Sequence, residues 1–289
     1  MMNALFDLSL DAAGTLPGGW FGDFLRSTAW PMEPPKPYGW FHLGFVLVFG
    51  ALSVFLALRM AKASDRKFRA VLAVCGFFLI LTEIYKISFY VYAIDTPVPI
   101  GQFKWWVFPF QLCSVPMYFC LLGAFLPEGR FRRAALDFMA IFNLMSGAVA
   151  FTEPSGLNHS YWTLTLHAYV WHMMLVFVGL MIAFRPEMQW KIKTYWRAVI
   201  VFLCLSVIAF CINLIFWKTA DGDINMFYVG PRENPIIVFK DIAKNYGWYV
   251  CTPIYLFALS LGAFIFFMLM KGVNALRAKR AAGKADKGR

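Results

Sequence analysis

The sequence predicts an all-α, polytopic membrane protein with seven transmembrane helices, an N-terminus outside and a C-terminus in the cytoplasm. Three observations predict it. The chain of 289 residues is 60% hydrophobic and only 15% charged, whereas soluble domains are about half apolar and about a quarter charged. The charges cluster between seven long apolar runs. Connections rich in lysine and arginine alternate with poor ones along the whole chain, which sets orientation by the positive-inside rule.

The runs cover residues 40–58, 70–92, 105–126, 134–151, 162–184, 198–217 and 248–270. Each is long enough to cross a hydrocarbon core of about 30 Å at about 1.5 Å per residue. Residues 1–39 read as an extracytoplasmic or interfacial segment. It is aromatic (Trp20, Phe21, Phe24, Trp30) and lacks the basic start of a cleaved signal peptide. Residues 40–271 form the seven-helix domain, and 272–289 a basic cytoplasmic tail. Within the domain, residues 218–247 carry Gly, Pro, Asn and mixed charges and read as an ordered extramembrane loop.

The inner connections and tail hold 19 lysines and arginines and the outer ones 7, with Lys86 left inside a span. Trp40, Trp105, Trp106, Trp162, Trp217 and Trp248 mark the outer ends, and Trp190 and Trp196 flank the inner side. Trp171 falls mid-span beside His172. The net charge of +11 lies in loops and tail rather than along one soluble face. That excludes a nucleic-acid footprint and leaves membrane lipids as the partner, in an integral multi-pass protein of the cell (inner) membrane. Six cysteines with no C-x-x-C pair give neither a zinc ribbon nor a redox motif, and no cofactor is implied.

Polar groups inside spans are costly and mark function by default. They are Glu83 and Lys86, Gln111 and Cys113, Asn143 and Ser146, Thr165, His167, Tyr169 and His172, and Asn213. Counted from the outer ends of their spans, Cys113, His172, Glu83 and Asn143 all lie roughly 12–15 Å down. One shared level implies a polar pocket inside the bundle, opening toward the outer leaflet. Glu83, Lys86 and Tyr90 share a helix stripe, so Glu83 and Lys86 can pair. Thr165, Tyr169 and His172 form a second stripe. His167 and His172 are about 140° apart around the helix, which argues against a two-histidine metal site there. Pro109 and Pro116 bracket Cys113, and Pro116 is expected to kink the helix and free the carbonyl of Leu112.

A thiol becomes a nucleophile when a base or positive charge stabilises its thiolate. His172 is the expected base, oriented by Glu83 or Tyr169. The bland alternatives are a small buried hydrophobe for Cys113, an interhelical hydrogen bond for His172 and a structural ion pair for Glu83–Lys86. Glu153 and His159, in the turn after residue 151, are rim or capping residues, and His42 is interfacial.

The stretches FPFQLCSVPMYF (108–119), NLMSGAVAFTEPSGLNHSYWTLTLHAYVWHMMLVFVGL (143–180), INMFYVGPRENP (224–235) and NYGWYV (245–250) resemble YwaF-like bacterial integral membrane proteins. These are related to the vertebrate transmembrane protein 164 family, described as cysteine-centred phospholipid acyltransferases. The chain resembles, more distantly, the androgen-induced lipid hydrolases, which use a threonine and a histidine. The resemblance implies a nucleophile at Cys113 and a histidine at His172. Gln111 stands where many bacterial members carry histidine, and Ser114 where the vertebrate motif does; His172 or His167 then remains as base.

The expectation is an intramembrane lipid acyl-transfer enzyme, a cysteine-dependent phospholipid acyltransferase or lipid ester hydrolase. Cys113 and His172 are catalytic; Gln111, Asn143, Ser146, Tyr169, His167, Glu83 and Lys86 bind substrate, with Asn143 or Gln111 facing the oxyanion. The alternative is a non-catalytic binding protein or carrier for a lipid or small amphiphile. A metal site on Cys113 and a histidine ranks last.

Overall fold

A computed structural model describes residues 17–94 and 96–286; the expectations for residues 1–16 and 287–289 lie outside these. The described residues fold as helices α1 (Gly19–Ser27), α2 (Trp40–Met60), α3 (Asp65–Tyr92), α4 (Val115–Phe125), α5 (Arg130–Phe138), α6 (Leu144–Ala150), α7 (Trp162–Ala183), α8 (Ile192–Phe216), α9 (Ile237–Tyr246) and α10 (Trp248–Asp286). Six helical stretches are long and apolar enough to cross a membrane, with α5 and α6 joined through a π-helical turn at Met139–Asn143 as one of them.

The third expected span differs. Residues 105–126 do not form one helix: Trp105–Val107 is a short 3-10 turn, 108–114 is irregular, and α4 has only 11 residues. The cause is Pro109 and Pro116. Pro116 does not kink a helix interior; it sits in the first turn of α4, where its missing N–H is one of the unsatisfied donors anyway. The helix therefore starts after Cys113 instead of running through it.

α10 runs beyond its apolar stretch and continues as helix to Asp286.

The basic connections gather at one end of the bundle. Arg132 reaches Asp65 at 3.2 Å, Arg69 reaches Glu128 at 2.9 Å, Arg197 reaches Asp137 at 2.6 Å, and Arg185 donates to the carbonyl of Ala63 at 3.1 Å. At the other end, residues 28–32 lie across the start of α7. Met32 N–H donates to the Ser160 carbonyl at 2.9 Å and Trp162 N–H to the Trp30 carbonyl at 3.0 Å. Arg26 of α1 ties the segment to the end of α3 through the Tyr92 carbonyl at 2.9 Å.

α6 and α7 pack backbone against backbone. A Cβ on Gly179 would stand 2.6 Å from Leu144 Cβ, and one on Gly147 would stand 3.0 Å from the His172 carbonyl. Only glycine lets the two backbones come this close, the device by which membrane helices gain contact without a hydrophobic driving force. This contact fixes the height of His172 on α7.

Candidate active site

Between α3, the start of α4, α7 and residues 223–235 lies a cavity of about 610 Å³. Glu83, Lys86, Gln111, Cys113, His167 and His172 all line it. Of the four residues read from the sequence as sharing one level, Cys113, His172 and Glu83 line it and Asn143 does not. Cys113 is the one cysteine among the described residues that lines it; Cys204 and Cys211 are exposed on α8, and Cys75, Cys120 and Cys251 are buried elsewhere.

Cys113 sits in the irregular turn that precedes α4. Its carbonyl, which has no helical partner, accepts from Trp171 Nε1 at 2.9 Å. This accounts for the mid-span tryptophan: the indole is 3% exposed and its single donor is spent on the turn that carries the thiol. The N–H groups of Ser114 and Val115 close that turn on the Gln111 carbonyl at 2.8 and 3.2 Å.

His172 is oriented by backbone, not by Glu83 or Tyr169 as expected. Its Nδ1 lies 2.8 Å from the Ala168 carbonyl. A carbonyl only accepts, so Nδ1 carries the proton in the neutral ring and Nε2 keeps its lone pair. His167 also lines the cavity, stacked on Trp171 with centroids 5.3 Å apart, and its Nε2 is buried with no hydrogen-bond partner. Both histidines line the cavity although they stand about 140° apart around the helix.

Glu83 is 2% exposed and accepts from Lys86 Nζ at 2.8 Å through Oε1, while its Oε2 is buried and unpartnered. The pair expected from their spacing forms. Lys86 lies within electrostatic reach of Cys113, His159, His167 and His172, so its ammonium is the charge common to the whole cavity.

Three expected substrate contacts are placed elsewhere. Tyr169 is fully buried among Phe41, Phe45 and Phe151, and its hydroxyl donates to Asn158 Oδ1 at 3.0 Å. The stripe it shares with Thr165 faces α2 and the turn before α7; Thr165 is held on both backbone groups of His159. Asn143, in the π-helical turn, donates to the Leu175 carbonyl at 3.0 Å, and Ser146 donates to the Asn143 carbonyl at 3.1 Å. Neither lines the cavity; Asn143 joins α7 to the α5–α6 helix.

Gln111 lines the cavity but is not free to hold an oxyanion. Its Nε2 donates to the Asn225 carbonyl at 2.9 Å, and its Oε1 accepts from Phe227 N–H at 3.0 Å. Asn213 of α8 grips the same segment from the other side: Oδ1 accepts from Met226 N–H at 2.7 Å and Nδ2 donates to the Met226 carbonyl at 3.0 Å and to the Val229 carbonyl. Residues 223–235 therefore form a strap packed against the bundle rather than a loop standing free of it. Ile224, Met226, Phe227 and Val229 are 2% exposed or less. The strap supplies Asp223, Asn225, Tyr228, Arg232 and Glu233 to the cavity wall, and Arg232 is paired with Asp223 at 2.7 Å. At the rim stands His159, whose pKa is lowered by burial and then by the Lys86 charge, so it is neutral near pH 7.

A second, more apolar cavity of about 750 Å³ adjoins the first and shares Pro97, Val98, Phe108 and Asp223 with it. Trp105 and Phe216, stacked 5.1 Å apart, form much of its wall.

Three of the four stretches that carried the resemblance (the turn around Cys113, α7 with His172, and the strap) contribute to this cavity; residues 245–250 do not. A family model described as the TMEM164 family matches residues 35–271. The chain belongs to the TMEM164 family. The match begins before α2 and ends within α10, so the whole cavity of this TMEM164 family member falls inside it. No curated protein sequence and no solved structure matches the chain.

Proposed function

We propose that this TMEM164 family member is an intramembrane lipid acyl-transfer enzyme, with Cys113 as nucleophile and His172 as its base. One observation carries the proposal. A cysteine freed from helical geometry, and a histidine whose Nδ1 is committed to a carbonyl, line the same cavity. His172 Nε2 takes the thiol proton, and the sulfur attacks the ester carbonyl carbon. The tetrahedral intermediate then expels the alcohol oxygen, which receives that proton from His172. The acyl group is left as a thioester on Cys113. A second alcohol, or water, gives its proton to His172 and attacks the thioester, and the proton returns to sulfur. The N-terminal end of α4 and the Lys86 ammonium supply positive potential beside the thiol.

The adjoining cavity supports a lipid substrate. Its volume lies within the range of about 300–1,000 Å³ common for ligand sites, and its aromatic wall is contiguous with the reaction cavity. The orientation that fits is seven crossings with the N-terminus outside and the C-terminus inside, in the cell (inner) membrane. The third crossing is made by the irregular turn plus α4. The reaction cavity then faces the outer half of the bilayer.

The test is turnover of phosphatidylcholine and of a soluble ester by purified protein, read together with native mass spectrometry. Cys113→Ala is expected to abolish turnover and the acyl adduct while leaving expression and unfolding unchanged. Equal turnover by Cys113→Ala and the parent chain would sink the cysteine mechanism. A non-catalytic binding protein or carrier is the second reading, favoured by the buried unpartnered acceptors Glu83 Oε2 and Asn225 Oδ1; it predicts retained lipid with no adduct.

A further inference from the structure

Every acyl transfer needs a donor for the oxyanion, and both side chains expected in that role are committed elsewhere: Asn143 to Leu175, and Gln111 to the strap. Trp171 spends its single N–H on the Cys113 carbonyl, and Lys86 and Arg232 each direct one N–H to an acidic partner, Glu83 and Asp223.

The strap holds an unusual backbone instead. Phe227 (φ 54°, ψ 8°) and Tyr228 (φ 55°) are consecutive non-glycine residues in the left-handed region. Such a conformation costs of order 1–3 kcal/mol per residue and persists only where surrounding contacts impose it. Here the contacts are explicit. Asn213 holds Met226 and Val229 on either side, Gln111 holds Asn225 and Phe227, and Phe227 is buried against Phe110 and Phe202. What this arrangement delivers is Tyr228, whose side chain lines the reaction cavity within electrostatic range of Cys113. Burial, then the neighbouring Cys113, pushes its phenol up to about 12, so it keeps its proton and remains a donor.

We propose that Tyr228 is a further catalytic residue, whose hydroxyl donates a hydrogen bond to the acyl carbonyl oxygen as Cys113 attacks, and to the thioester carbonyl afterwards. The proposal rests on the acyl-transfer reading above. No proton moves in this contact: the carbonyl π electrons pass to oxygen as the C–S bond forms, and the phenol O–H stabilises the resulting charge. Gln111 and Asn213 are positioning residues that act through the strap.

The experiment compares Tyr228→Phe with the parent chain and Cys113→Ala, on 4-nitrophenyl octanoate in detergent and on phosphatidylcholine vesicles. Tyr228→Phe removes one oxygen and leaves the strap contacts intact. The expected result is a fall in kcat of ~10²–10³, the cost of one oxyanion donor, with KM nearly unchanged and the same unfolding midpoint. In the infrared spectrum of the protein acylated with a ¹³C-carbonyl chain, the thioester band should move to higher frequency in Tyr228→Phe, since a hydrogen bond has been lost. A parent-like kcat and an unmoved band in Tyr228→Phe, with Cys113→Ala inactive, overturn the role of Tyr228 and leave the cysteine reading standing. Full activity of Cys113→Ala, or a parent chain with neither turnover nor adduct, overturns both.

Discussion

Trp171 Nε1 donates to the carbonyl oxygen of Cys113 at 2.9 Å, joining the middle of α7 to the turn that carries the thiol. The bond crosses 58 residues of sequence, and its donor belongs to the residue next to His172. Trp171→Phe keeps an aromatic ring, smaller by one fused ring, and leaves the carbonyl unpaired, at a cost of about 1–3 kcal/mol for the lost partner. The expected outcome is a lower unfolding midpoint in detergent, together with a slower reaction of Cys113 with a membrane-permeant maleimide. An unchanged midpoint and unchanged labelling rate would show that the bond does not hold the turn.

Gln111→Glu tests the strap with a single-atom change. The carboxylate can still accept from Phe227 N–H, but it replaces the donor to the Asn225 carbonyl with a second acceptor. Hydrogen exchange at the amides of residues 224–229 should rise by at least tenfold, corresponding to about 1.4 kcal/mol of lost closure. Gln111→Ala should release the strap further. Parent-like protection in both variants would contradict the latch.

How much of this was legible in the sequence differs by element. The six long apolar helices were, because a run of about 20 apolar residues has few other uses. The third span was not, because hydropathy measures transfer to lipid and is blind to backbone geometry; residues 108–114 are apolar enough, yet Pro109 and Pro116 confine the helix to Val115–Phe125. For the cavity, helical spacing gave the direction of each side chain but not its neighbour. Tyr169 shares a stripe with His172, and that stripe divides between α2 and the cavity. The strap was hidden because its anchors, Gln111 and Asn213, lie far away or on another helix, and its burial involves only a few apolar residues in a polar-looking loop. Tyr228 had one available signal, its place within a stretch shared with a family. Trp171 had another, a tryptophan away from either interface.

Gly179→Ala tests the α6–α7 contact. The added Cβ would meet Leu144 at 2.6 Å from Cβ and 3.0 Å from Cα, so backbone must yield. Overpacking of this kind costs about 1–3 kcal/mol. Thermal unfolding in detergent should show it, while Gly156→Ala, with open space at the same position on its own turn, should be neutral.

The pH dependence of stability should carry the mark of His159. Its folded pKa lies below the ordinary 6.5 through burial and then Lys86. The unfolded chain therefore binds more protons than the folded one as pH falls below 6.5, and stability is lost in that direction. Unfolding midpoints measured from pH 7.5 to pH 5 should fall, and His159→Gln should flatten that fall. An identical slope in the variant would assign the acid sensitivity elsewhere.

The broken third segment has a consequence for how the chain enters a bilayer. Backbone groups in hydrocarbon must be satisfied within the protein; the Pro109 carbonyl accepts from the Tyr118 hydroxyl, the Cys113 carbonyl from Trp171 Nε1, and the Gln111 side chain is held by the strap. Of these, the strap leaves the ribosome more than a hundred residues after the turn it covers. During synthesis the turn at residues 108–114 therefore lacks its strap contacts until residues 225–227 have been made. The cavity wall is then incomplete until the strap has been made, and a chain cut short before residue 223 is expected to lack it.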